Sequence, residues 1–267
     1  MNVFRLECVD GESAAAAALW TLGCQGLIEE LLPDGTPVLL AFFAERIDLP
    51  MEGTWETRPD VDYLAEYQAG LAPVRVGHLV VAPSHATVTA TDGDLIIWLD
   101  PGSAFGTGHH ETTAMALAAL VEAQGGMAGR SVLDVGSGSG LLAIAADRLG
   151  AESSYGVDVD PLTVPVAREN AARNRSRAKF SLGSLDAPGL PTRFDVVVAN
   201  LYAELHATLF SAYADRLLGG GIAYLTGILA SLRTTVTSAA PAEMRLVDER
   251  HDGEWLLLTY QKQSGAR

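Results

Sequence analysis

The chain has 267 residues, 48% of them hydrophobic, enough to bury one large domain or a large domain with a small companion. Its longest apolar runs, such as 38–44, fall far short of the roughly 20 residues a membrane span needs, and its start lacks the basic-then-apolar pattern of a secretory signal. Two cysteines, Cys8 and Cys24, stand without metal or redox spacing, so a reducing, cytoplasmic location is expected. Acidic residues outnumber basic ones 33 to 18, a net charge of −15; this disfavours a nucleic-acid partner, which Lys and Arg must grip, and favours a basic protein as substrate. The basic run Arg168, Arg173, Arg175, Arg177 and Lys179 reads as a solvated helix end.

In chain order, residues 1–58 read as a small α+β unit. Strands are expected at 3–9, 26–32, 37–43 and 54–58, with a helix over 12–22 and the turn Pro33-Asp-Gly35 joining a hairpin. Residues 61–71 carry Leu64, Tyr67, Gln68 and Leu71 at helical spacing before Pro73, which predicts a linker helix within 59–73. From 74 to 267 the pattern changes. Strands at 78–82 and 95–99 lead to a glycine-rich segment and a helix at 114–122. Strands at 131–135, 155–159, 178–182, 195–200 and 222–226 then alternate with helices at 141–149, 161–174 and 203–218. Such alternation predicts crossover units and a mostly parallel, doubly wound α/β sheet. The runs 243–249 and 254–260 are joined by a short charged turn and should pair antiparallel, giving the sheet an antiparallel last strand.

The strand Ser131-Val-Leu-Asp-Val135 runs into Gly136-Ser-Gly-Ser-Gly140 and then a helix. Glycines there let the backbone turn sharply and let a ligand approach N–H groups at a helix start. The pattern is G-x-G-x-G, with Leu141 where a dinucleotide fold would put its third glycine. About twenty residues on, Tyr155-Gly-Val-Asp158 ends the next strand with a carboxylate that can accept hydrogen bonds from ribose hydroxyls, a feature shared by nicotinamide enzymes and methyltransferases. At the end of the fourth strand of this series stands Asn200, in Phe194-Asp-Val-Val-Val-Ala-Asn200-Leu-Tyr-Ala203. Its amide oxygen can accept from an amine and aim the nitrogen lone pair at a methyl group; alternatively it caps the following helix.

These stretches, together with Leu99-Asp-Pro-Gly-Ser-Ala-Phe-Gly-Thr-Gly-His-His-Glu-Thr-Thr113, Gly156-Val-Asp-Val-Asp-Pro161 and Val198-Ala-Asn-Leu-Tyr202, resemble the bacterial methyltransferases of large-subunit ribosomal protein L-eleven. The glycine loop is generic to class I methyltransferases, whereas the 99–113 segment is specific to that family. The resemblance implies a ferredoxin-like recognition domain over 1–58, a helical linker over 59–73 and a Rossmann-like catalytic domain over 74–267. It also implies S-adenosyl-L-methionine as cofactor and amines of one ribosomal protein, lysines and the N-terminal α-amine, as acceptors. Matched position by position, it implies cofactor contacts at Thr113, Gly136, Asp158 and Asn200, with Phe105, Thr107, Gly138 and Ser184 as neighbours, and acceptor orientation by Asn200 and the Leu201 carbonyl. Tyr63 departs from the family pattern, where Trp is expected in the linker.

Adjacent histidines point apart, and His109-His110-Glu111 lacks the H-E-x-x-H spacing, so no metal is expected. His206 reads as a surface histidine, no residue presents itself as a strong base, and a monomer is expected. Other readings of the same pattern are methylation of another nitrogen (a protein glutamine or a nucleic-acid base), a nicotinamide dehydrogenase, and a non-catalytic cofactor-binding module.

Overall fold

The computed structural model describes residues 2–7, 15, 18–19, 22–24, 26–32, 36–57, 72–99 and 111–264. The chain divides into two compact units, 1–67 and 68–267.

The first unit holds a four-stranded sheet of β1 (Asn2–Glu7), β2 (Gly26–Leu31), β3 (Pro37–Phe43) and β4 (Thr54–Thr57), in the order β2-β3-β1-β4 with every pair antiparallel. β3 is buried on both faces. Val38, Leu40 and Phe42 pack with Val3 on one side, and Leu39, Ala41 and Phe43 with Phe4, Leu19 and Cys24 on the other. Trp55 closes the second cluster edge-on, its ring centroid 5.3 Å from Phe4 and 5.4 Å from Phe43. Residues 44–53, between β3 and β4, contain no helix. The expected linker helix at 61–71 and most of the expected helix at 12–22 lie outside the described residues.

In the second unit, β5 (Val74–Val76), β6 (Leu79–Ala82) and β7 (Leu95–Trp98) form a small sheet of their own. The main sheet has seven strands: β8 (Ser131–Val135), β9 (Ser153–Asp158), β10 (Lys179–Leu182), β11 (Phe194–Asn200), β12 (Leu217–Leu229), β13 (Met244–Asp252) and β14 (Trp255–Lys262). Their order is β10-β9-β8-β11-β12-β14-β13. The first five are parallel, and the last two run antiparallel as a hairpin, as the short charged turn requires. Helices α1 (Glu111–Val121), α2 (Leu141–Arg148), α3 (Thr163–Arg173), α4 (Ala203–Arg216) and the short α5 (Arg233–Ser238) accompany it.

The central strands are apolar on consecutive residues because both faces are covered. Val196, Val197, Val198 and Ala199 of β11 are all fully buried, and each valine so placed contributes about 1.5–3 kcal/mol. At the far side of the sheet, Lys262 Nζ donates to the carbonyls of Ala214 (2.6 Å) and Leu217 (3.1 Å), tying the last strand to the C-terminal end of α4. Chain direction of the crossovers reverses between β8 and β11, with β9 and β10 laid down on one side and β12 on the other. In open sheets of this kind ligands bind at the carboxyl ends of the strands flanking that reversal.

Several element boundaries shift by a few residues from the sequence expectation, and two of the shifts bear on the site. Helix α1 starts at Glu111, so Thr112 and Thr113 are helical and buried. Strand β12 extends through Leu217–Leu229, absorbing four glycines and the last residues of the helix expected over 203–218. The strand β5 and helix α5 were not foreseen.

Candidate active site

A cleft of 660 Å³ opens at the carboxyl ends of β8, β9 and β11, within the range of small-molecule sites. Its floor is the glycine loop. Gly136 and Ser137 donate their backbone N–H groups to the Val157 carbonyl, at 2.9 and 3.0 Å, which pins the loop to the end of β9. Gly136 adopts φ +73°, where any side chain is strained, and a Cβ there would lie 2.5 Å from Leu201 Cδ2 and force the leucine to shift. The Gly138 N–H donates to Asp158 Oδ2 at 2.8 Å, and the Asp160 N–H donates to Asp158 Oδ1 at 2.9 Å. Each carboxylate oxygen keeps a lone pair for a ligand hydroxyl.

Asp134, at the end of β8, is 1% exposed yet lines the cleft. Its Oδ2 accepts the Ala143 N–H at 3.1 Å, while Oδ1 and the Ser137 hydroxyl have no hydrogen-bond partner among the described residues. Burial pushes the Asp134 carboxyl up to about 7, against the Ala143 hydrogen bond and helped by the charge of Asp158. An unpartnered buried carboxyl oxygen and an unpartnered buried hydroxyl, on two residues that line one cleft, are groups that a cationic, hydrogen-bonding ligand could satisfy.

The other end of the cleft is made by the turn after β11. Asn200 Nδ2 donates to Thr112 Oγ1 (3.1 Å) and Thr113 Oγ1 (3.2 Å), which takes both amide protons. Its Oδ1 has no protein donor among the described residues. Asn200 does not cap the following helix: the N-cap of α4 is Tyr202, with no side-chain cap. The Leu201 N–H donates to the Thr226 carbonyl at 2.9 Å. Gly227, at φ +83° in a β-bulge of β12, faces this turn. A Cβ there would sit 2.5 Å from the Leu201 carbonyl oxygen and 2.8 Å from Asn200 Oδ1.

Of the residues singled out in the sequence, Thr113, Gly136, Gly138, Asp158, Ser184, Asn200 and Leu201 all line this one cleft. Phe105, Thr107 and the pair His109-His110 lie outside the described residues. Sequence reasoning missed Asp134, Thr112 and Gly227. The signals were present: an acid inside a buried strand, a second threonine beside Thr113, and a glycine inside an apolar strand. It also misplaced His206, which is fully buried rather than on the surface. Among the described residues no group of three potential metal ligands occurs, and no helix is long and apolar enough to cross a membrane.

The sheet order, the reversal point and the glycine-floored cleft ending in a strand-terminal asparagine define a class I methyltransferase. Residues 39–263 match the model of the family described as ribosomal protein L11 methyltransferase (PrmA). Two relatives carrying that description come from Thermus thermophilus, 47% identical over 82% of this chain and 85% of theirs, and from Deinococcus radiodurans, 40% identical over 95% and 96%. The crystal structure of the ribosomal protein L11 methylase from Lactobacillus delbrueckii subsp. bulgaricus superposes with a TM-score of 0.64 and 29% identity, over 72% of this chain and 98% of that one. The Thermus thermophilus 16S rRNA N2 G1207 methyltransferase, solved with AdoMet and guanosine, shares the fold at TM-score 0.55 and 20% identity, over 94% of this chain and 60% of that one. The chain belongs to the ribosomal protein L11 methyltransferase family.

Proposed function

We propose that this enzyme transfers methyl groups from S-adenosyl-L-methionine to amines of ribosomal protein L11, at lysine side chains and the N-terminal α-amine, in the cytoplasm and as a monomer. The observation that carries the reading is the Asn200 amide. With Nδ2 committed to two threonine hydroxyls, Oδ1 is left to accept from a ligand, beside the Leu201 carbonyl. Two acceptors side by side suit an amine, which has N–H donors to give and a lone pair to aim.

The cofactor fits the residues present. The ammonium of its zwitterionic amino-acid end suits Asp134 and Ser137, and its ribose suits Asp158. Thr113, Gly136, Gly138 and Ser184 supply the remaining wall, and Phe105 and Thr107 are assigned to the same site from the sequence. S-adenosyl-L-methionine supplies an electrophilic methyl group on a sulfonium. The chain's own contribution is to bind, orient and desolvate the acceptor. A lysine amine must shed its proton first, which costs about 4.6 kcal/mol at pH 7 against about 1 kcal/mol for an α-amine. The apolar wall of Val135, Leu201, Leu205 and Leu209 lowers that cost by disfavouring the charged ammonium.

Residues 1–58 are assigned as the recognition domain, 59–73 as the linker helix and 74–267 as the catalytic domain. A ferredoxin-like reading of the first is supported by the antiparallel order β4-β1-β3-β2, although the helix such a fold carries before its last strand is absent at 44–53. The acidic chain suits a basic protein and not a direct nucleic-acid contact. The test is incubation with labelled cofactor and purified L11, followed by peptide mass spectrometry. Methyl groups are expected on lysine and N-terminal nitrogens; label on glutamine or nowhere would refute the reading.

A further inference from the structure

Behind the turn that carries Asn200 and Leu201 lies a fully buried pair from one face of α4. His206 and Tyr213 are both 0% exposed and stand two helical turns apart. His206 Nε2 lies 2.8 Å from the Thr226 carbonyl oxygen, and Nδ1 lies 3.4 Å from the Tyr213 hydroxyl. A carbonyl only accepts, so Nε2 carries the proton, Nδ1 is the lone-pair nitrogen, and the Tyr213 hydroxyl donates to it. The tautomer is thereby fixed. Burial lowers the imidazole pKa to about 4, against the hydrogen bond to the Thr226 carbonyl. The ring is thus neutral at physiological pH, and too weakly basic and too deeply buried to serve as the missing base.

What it touches gives it another task. The Thr226 carbonyl accepts two protons, one from His206 and one from the Leu201 N–H at 2.9 Å. The next residue is Gly227, whose missing Cβ leaves room for the Leu201 carbonyl and Asn200 Oδ1. One carbonyl therefore joins the imidazole to the backbone of the acceptor turn, and β12 cannot shift along α4 without moving that turn.

We infer that His206, held by Tyr213, is a positioning residue for methyl transfer: through the Thr226 carbonyl it sets where Asn200 Oδ1 and the Leu201 carbonyl meet the acceptor amine. The inference rests on the assignment of those two atoms as the amine's acceptors. The hydrogen bonds of His206 lead to the acceptor turn, which abuts the glycine loop through the Leu201 side chain, so cofactor binding should be affected less than turnover.

The test compares His206→Phe, which keeps a ring but loses both hydrogen bonds, His206→Gln, which can restore the donor to Thr226, and Tyr213→Phe, the mildest change. Each is measured on the full chain with L11 for kcat and KM, and by calorimetry for S-adenosyl-L-methionine. Expected are a kcat about tenfold lower in His206→Phe with cofactor affinity within about threefold of the parent, a smaller loss in Tyr213→Phe, and recovery to within about threefold in His206→Gln. Nitrogen NMR of the parent should show the Nε2–H neutral tautomer from pH 8 down to 5. If His206→Phe fails to fold, Tyr213→Phe and the tautomer decide. A kcat unchanged in a folded His206→Phe protein, cofactor affinity falling in step with kcat, or a charged imidazole at pH 6 would overturn the inference. Asn200→Ala run alongside separates the two levels: slow Asn200→Ala with normal His206→Phe sinks this inference alone, whereas normal turnover in Asn200→Ala sinks the acceptor assignment and this inference with it.

Discussion

The two ends of the cleft are built from different material. At the glycine loop the ligand-facing surface is mostly main chain: positive-φ glycines, N–H groups tied to Val157, and one strand-terminal carboxylate, Asp158, already bonded to the loop it faces. At the acceptor end the surface is side chains and carbonyls brought together from afar. Thr112 and Thr113, 88 and 87 residues before Asn200, orient its amide, and β12 supplies Gly227 as clearance. A backbone cradle fails when a side chain is added, while a side-chain constellation fails when a group is removed. The first kind of damage should appear as lost affinity for the cofactor, the second as lost turnover.

The largest expected effect is on the cradle. Gly136→Val forces a β-branched residue into φ +73° with its Cβ 2.5 Å from Leu201. Calorimetry should detect no cofactor binding, and retained affinity would break the distinction between the two ends. Next comes Asp158→Ala, which removes charge-assisted bonds worth about 1.5–3 kcal/mol, roughly 10- to 150-fold in cofactor affinity. Its kcat at saturating cofactor should stay within about threefold of the parent.

The smallest effect sharpens the comparison through pH. The Asp134 carboxyl titrates at about 7, chiefly because it is buried. A cationic ligand group beside Oδ1 requires the ionised form, so below pH 7 a proton must leave before binding. Cofactor affinity should therefore rise as pH goes from 6 to 7, by at most about tenfold per unit, and level off above 8. Asp134→Asn should flatten that slope, and a slope unchanged in this variant would remove Asp134 from the cofactor site.

How much of this was legible depended on contiguity. The strand, loop and helix of 131–149 lie in one stretch, and their apolar run and glycine spacing state the cradle outright. Asn200 was readable because a polar residue ends a run of buried ones. Its partners were not. Thr112 reads as part of a polar loop until α1 is seen to begin at Glu111. Gly219-Gly-Gly221 argues against a strand that in fact continues through them as an irregularity, between the β11 pairings of Leu217 and Ile222. His206 has the spacing of either helix face, and only the fold decides that it points inward, to the Thr226 carbonyl. Side-chain pairs that close over long stretches of sequence leave no local mark.

The separation of the two ends is tested most directly by single-turnover methyl transfer to L11 by Asn200→Ala at saturating S-adenosyl-L-methionine, with the cofactor dissociation constant measured on the same preparation. The account predicts a rate lower by about 100-fold, with the dissociation constant within about threefold of the parent. A rate near the parent's in the folded protein, or a loss that vanishes as cofactor is raised, would contradict it.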